Sequence, residues 1–143
     1  MRFRKASHAI YKTEYHVVWP PRYRRRIFTK GIKEYTDKLL THLSDLESDI
    51  EVLKVNVRID HVHMVIVIPP RLAVADAIQF IKSRSAKVLK AKFAFLNTVM
   101  WGREGIWSRG YCVSSVVGLD EKRILAYVTH QEKEDKGQLQ LNL

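Results

Sequence analysis

Residues 51–68, "EVLKVNVRIDHVHMVIVI", hold two β-branched runs separated by a short polar connection at Arg58 and Asp60. Runs of this composition form strands, and the polar break between them makes an antiparallel hairpin. Side chains alternate across a strand, so Val62, Met64, Ile66 and Ile68 share one face, suited to a covering layer, while His61 and His63 project together from the other.

The flanking sequence supplies the rest of the sheet and its cover. Residues 9–19 alternate, with Tyr11, Thr13, Tyr15, Val17 and Trp19 on one side and Lys12, Glu14 and His16 on the other, the pattern of a strand with one buried face. "PPRYRRR", residues 20–26, then reads as an exposed connection, because two prolines cannot donate to a ladder. From Thr29, an expected N-cap, Ile32, Tyr35, Leu39, Leu43 and Leu46 recur at helical spacing to about residue 47. A second helix is expected over 73–96, with Val74, Ile78, Ile81, Val88 and Leu89 inward and Lys82, Arg84, Lys87 and Lys90 outside. After the loop "WGREGIWSRG", residues 101–110, "YCVSSVV" reads as a fourth strand and Gly118 as a break. Asp120 caps a last helix over about 120–135, and residues 136–143 form a tail. The order β-α-β-β-α-β plus one helix predicts an α+β fold, a ferredoxin-like or RRM-like sandwich, as a single domain over residues 1–143.

Composition narrows the partners. A chain of 143 residues with 46% hydrophobic content suffices for one core. Its 25 Lys and Arg against 15 Asp and Glu leave a net charge of +10, which favours a polyanion. Basic residues interleave with aromatics instead of forming one tail, which points to nucleic acid over a membrane surface. Cys112 is the only cysteine, which excludes an intrachain disulfide and a thiolate zinc cluster. No apolar run is long enough to span a bilayer, and the expected home is the cytoplasm.

Two histidines at i and i+2 of a strand can reach one metal ion without backbone distortion. The pattern alone equally describes two polar strand residues, so a metal site needs further ligands. The last helix offers Tyr127 and Gln131, four apart and therefore on one helical face; alone they equally read as a snorkelling tyrosine and a solvated glutamine.

Together these pieces resemble the single-tyrosine HUH transposases, the TnpA-like or IS200-like enzymes of small bacterial and archaeal insertion sequences. The resemblance rests on His61-Val62-His63 within "DHVHMVIV", on "YHVVWPPRYRRR", on "WGREGIWSRGY" and on "YVTHQ", in order over nearly the whole chain. Arg22 stands where the family often has lysine, and the tandem prolines are less usual. Neither departure touches the chemistry the resemblance implies.

That chemistry is cleavage and rejoining of single-stranded DNA. Tyr127 would attack a backbone phosphate and form a 5′-phosphotyrosine, with His61, His63 and Gln131 holding Mg²⁺ or Mn²⁺. Asp60, placed on the opposite strand face, is left out of the ligand set, and His130 is read as surface or DNA-facing. The implied substrate is a DNA hairpin near an element's end, with phosphates gripped by Arg22, Arg24, Arg25, Arg26, Lys82, Arg84 and Lys87. Tyr23 and Trp107 are candidates for base stacking or core packing. The resemblance also implies a homodimer whose active sites are shared between subunits, with Gly118 a candidate hinge. Competing readings are a non-catalytic RRM-like nucleic-acid-binding protein, which lacks support from an aromatic-rich strand here, and a domesticated HUH endonuclease acting on host repeats.

Overall fold

The computed structural model describes residues 3–45, 49–97 and 105–115. Two short strands, β1 (Arg4–Lys5) and β2 (Ile10–Tyr11), pair as a small hairpin of their own. The single strand expected over 9–19 is therefore divided: β2 belongs to this hairpin, and β3 (Glu14–Trp19) enters the main sheet. Helix α1 (Lys30–Thr41) follows, then β4 (Glu51–Val57), β5 (Val62–Val67), helix α2 (Val74–Lys92) and β6 (Cys112–Ser114). The sheet order is β4-β5-β3-β6 with each pairing antiparallel, the ferredoxin-like arrangement that the element order predicts. Leu46, Gly118, Tyr127, His130, Gln131 and the expected helix over 120–135 lie outside the described residues.

Both helices cover one face. Val17, Trp19, Val57, Val62, Met64 and Ile66 from the strands form a single core with Ile32 and Leu40 of α1 and Ala77, Ile78, Ile81 and Leu89 of α2. Complete burial of a side chain such as Met64 or Ile66 is worth roughly 1.5–3 kcal/mol each. On α1 the buried stripe is Ile32, Thr36 and Leu40, with Tyr35 and Leu39 half-buried beside it. Thr36 is tolerated there because its hydroxyl donates to the carbonyl of Ile32 at 2.7 Å. Thr29 precedes α1 as expected, but its side chain makes no capping hydrogen bond. α2 ends at Lys92, short of residue 96, and a 3-10 turn over Ala94–Asn97 completes the segment.

β4 and β5 are joined by a tight connection, with the Arg58 amide donating to the His61 carbonyl at 2.8 Å. Register shifts once between them: Val52 faces Ile66 and Lys54 faces Val65, which leaves Leu53 as an extra residue, 43% exposed. This bulge lets Val52 on one side of it and Val55 and Val57 on the other all reach the helix-covered face.

Candidate active site

The second face of the sheet is built by strand register. Val18 lies opposite His63, Asn56 lies opposite His63 from the other side, and Cys112 lies opposite Val18, so these four form a row across the sheet. In the next row His16 lies opposite both Val65 and Ser114. His16 and His63 thus share a face on neighbouring strands. His16 Nδ1 stands 3.3 Å from His63 Nε2, with ring centroids 5.5 Å apart. Alternation places His16 on the polar side of its strand, but only the register brings it beside His63. Burial pushes the Cys112 thiol above its ordinary pKa.

His61 sits at the mouth of the hairpin, one residue before β5 begins. Its Nδ1 is 3.0 Å from Asp60 Oδ1, and the other carboxylate oxygen, Oδ2, accepts from Arg24 Nε at 3.0 Å. Asp60 belongs to the turn and not to the strand, so extending strand alternation back to it misplaces its side chain. Partial burial alone would raise its pKa. The hydrogen bond to His61 and the charge of Arg24 outweigh that, and hold the carboxyl below its ordinary value.

An Nδ1–H aimed at a carboxylate leaves Nε2 as the lone-pair nitrogen, the state in which an imidazole ligates a metal. His61 is only 12% exposed on its side chain, so this orientation is held by surroundings as well as by Asp60. Among the described residues no three His, Cys, Asp or Glu side chains form a metal-holding group. Two imidazoles are the kind of nitrogen donor that a mixed nitrogen and oxygen ligand set requires, and Gln131, the third expected ligand, lies outside the described residues.

The basic residues singled out in the sequence divide into different environments. The expectation of an exposed connection at 20–26 is corrected for its first part: Pro20, Pro21 and Arg22 are buried, Arg22 to 5% exposure. Pro21 bridges to Trp107, and the Arg22 amide donates to the Ile106 carbonyl at 2.8 Å. Tyr23 (φ 59°) and Arg24 (φ 53°) are both left-handed, uncommon for residues with side chains. Arg25 lies over the Tyr23 ring at 5.4 Å, and Arg26 is exposed.

On α2, Lys82 Nζ donates to the carbonyls of Ser108, Gly110 and Arg109 at 2.5, 3.2 and 3.4 Å, tying the helix to the segment before β6. Arg84 lies over Phe80 at 6.0 Å, and Lys87 is exposed. Trp107 is a core residue, edge-on to Trp19, with its Nε1 donating to Ser85 Oγ at 2.9 Å. A cleft of about 440 Å³ between α2 and residues 105–111 is lined by Gln79, Ser83 and Tyr111 among others, and none of the described histidines lines it. No helix among the described residues is long and apolar enough to cross a membrane.

Comparison with known proteins bears on the family and the fold. The family described as "Transposase IS200 like" matches residues 9–131. The transposase of insertion sequence IS200 from Salmonella typhimurium is 31% identical over 137 residues, covering 96% of this chain and 88% of the relative. The ISDra2 transposase of Deinococcus radiodurans is 26% identical, covering 94% and 95%. Among solved structures, a candidate transposase from Deinococcus radiodurans R1 superposes with a TM-score of 0.72 at 23% identity, covering 94% of this chain and 97% of the other. A REP-associated tyrosine transposase bound to a REP hairpin has a TM-score of 0.51 at 12% identity, covering 94% and 74%. These structures share the fold.

Proposed function

Because the chain belongs to the IS200-like transposase family, we propose that it cleaves and rejoins single-stranded DNA through Tyr127, at a metal site made by His61, His63 and Gln131. The observation that supports this reading is the contact of His61 Nδ1 with Asp60 Oδ1 at 3.0 Å, which favours the tautomer that leaves Nε2 for a ligand, two residues before His63 in the adjoining strand. The Tyr127 phenol oxygen attacks a backbone phosphorus, the bond to the 3′ oxygen breaks, and a 3′-hydroxyl leaves with a proton in place of the one the phenol lost. The product is a 5′-phosphotyrosine. A 3′-hydroxyl from a second strand reverses the exchange and restores the phenol, so one phosphoester replaces another and no external energy is needed.

A free phenol with a pKa near ~10 is mostly protonated at neutral pH, and the phosphodiester repels nucleophiles. The chemistry a bound Mg²⁺ or Mn²⁺ supplies here is neutralisation of a nonbridging phosphate oxygen and alignment for in-line displacement. Imidazole and amide donors suit Mn²⁺ readily and Mg²⁺ acceptably.

The substrate on this reading is a hairpin, as in the REP-associated relative of the same fold, which was solved bound to one. Of the basic residues the sequence singles out for its phosphates, Arg26 and Lys87 are exposed and Arg25 is half-buried, and this reading assigns the grip to them. The working unit is a homodimer with shared active sites.

The test is a denaturing gel of the protein with labelled single-stranded hairpins from the flanks of its gene, with Mn²⁺ or Mg²⁺, beside Tyr127→Phe and His61→Ala. A metal-dependent adduct that survives denaturant and is absent from both variants supports the reading. Tight hairpin binding without an adduct in either metal, unchanged by Tyr127→Phe, replaces it with a non-catalytic DNA-binding role.

A further inference from the structure

We propose that Arg24 is a positioning residue for His61, acting through Asp60. The inference rests on the metal site proposed above and adds to it a residue of the "PPRYRRR" segment that charge alone would assign to DNA.

The three side chains form one chain of contacts, with each Asp60 carboxylate oxygen committed to a different partner. Oδ2 takes the Arg24 guanidinium and Oδ1 takes the imidazole of His61, both at 3.0 Å. With both oxygens engaged, the carboxylate cannot rotate without breaking one bond. With Oδ1 fixed as an acceptor, the neutral imidazole carries its proton on Nδ1 and points Nε2 away from the turn. The carboxylate is 22% exposed, and removal of Arg24 would leave a half-desolvated charge free to turn toward water. His61 would then exchange between tautomers, of which only one offers Nε2.

The backbone supplies an independent observation. Arg24 reaches Asp60 from a turn in which both Tyr23 and Arg24 are left-handed, a conformation disfavoured outside glycine. Three contacts hold it: the Arg24 amide donates to the Pro21 carbonyl at 2.8 Å, the Arg22 amide bonds Ile106, and Arg25 covers the Tyr23 ring. A loop serving only as a flexible phosphate clamp has no need of that conformation. A guanidinium suits the task better than an ammonium, since its planar fork loses less freedom per bond formed.

Two readouts on the full chain test the proposal. Calorimetric titration with Mn²⁺ alone compares the wild type with Arg24→Gln, Arg24→Lys and His61→Ala. Nitrogen-15 spectra of the metal-free imidazoles report the His61 tautomer directly. Arg24→Gln is expected to weaken Mn²⁺ binding about 10- to 100-fold, the usual effect of losing an outer partner of a metal ligand. A His61 signal with the proton on Nε2 is expected to appear beside the Nδ1–H form, and Arg24→Lys to recover part of both losses. If Arg24→Gln does not fold, Asp60→Asn is read the same way, with the same losses expected.

Wild-type affinity together with a wild-type tautomer ratio in Arg24→Gln overturns the proposal. If His61→Ala binds Mn²⁺ as tightly as the wild type, the metal site itself fails. The tautomer ratio then decides on its own whether Arg24 orients His61.

Discussion

His63 and Met64 are neighbours in β5, yet they serve two faces of the sheet with opposite demands. Met64 is fully buried with Trp19, Val57 and Ile66 under two helices, where shape and apolar area determine what is tolerated. His63 faces the side that carries His16, Asn56 and Cys112, where hydrogen-bonding direction matters more than volume. The same backbone hydrogen bonds support both, so the strand separates core packing from the proposed chemistry by alternation alone. Substitutions on the two faces should therefore fail in different assays.

The largest effect is expected at His63→Ala, which should reduce covalent adduct formation by about 1,000-fold, because catalysis by a metal ion contributes several kcal/mol. Its urea unfolding free energy should fall by about 1 kcal/mol or less. Equal losses in both assays would erase the distinction between the faces. Met64→Ala inverts the pattern: a cost of about 2–5 kcal/mol in urea unfolding, with adduct yield per folded molecule unchanged. His16→Gln probes a side chain on the chemical face that is not itself assigned as a ligand. Loss of its contact with His63 should slow adduct formation about 10-fold at unchanged stability. Trp107→Phe removes the hydrogen bond to Ser85 from the covered side and should cost about 1 kcal/mol, again without altering the adduct. The smallest effect concerns Cys112: because burial raises its pKa, alkylation by iodoacetamide at pH 8 should run slower than for a free cysteine and approach it only in urea.

Much of this division is legible in the sequence, because alternation in "HVHMVIVI" is a local property that the hairpin preserves. Val62, Met64 and Ile66 reach the core for that reason, and Ile32, Ile78 and Ile81 do so through helical spacing. What escapes such reading depends on where distant residues meet. The bulge at Leu53 shows in "EVLKVNV" only as a change of phase between Val52 and the pair Val55 and Val57, and pairing with β5 is what makes it a bulge. His16 falls on the correct side of its strand, but its neighbour is set by the β3–β5 register. The arginine-rich segment reads as uniform charge, whereas Arg22 is buried, Arg24 is bound to Asp60 and Arg26 is exposed. Lys82 is equally instructive: its helical position marks it as an outer cation, and three carbonyls from residues 108–110 claim it.

The short connection between Arg58 and His61 also bears on how such a chain can change length over time. Only Ile59 and Asp60 lie between the residues whose backbones close the hairpin. A residue gained or lost there, if absorbed by sliding β5 against its neighbours, would turn Met64 outward and His63 into the core, exchanging every position of the strand at once. Insertions and deletions at this point must therefore come in pairs or be taken up by another bulge. Single-residue length changes should be far rarer at residues 58–61 than substitutions at Ile59, which is 42% exposed.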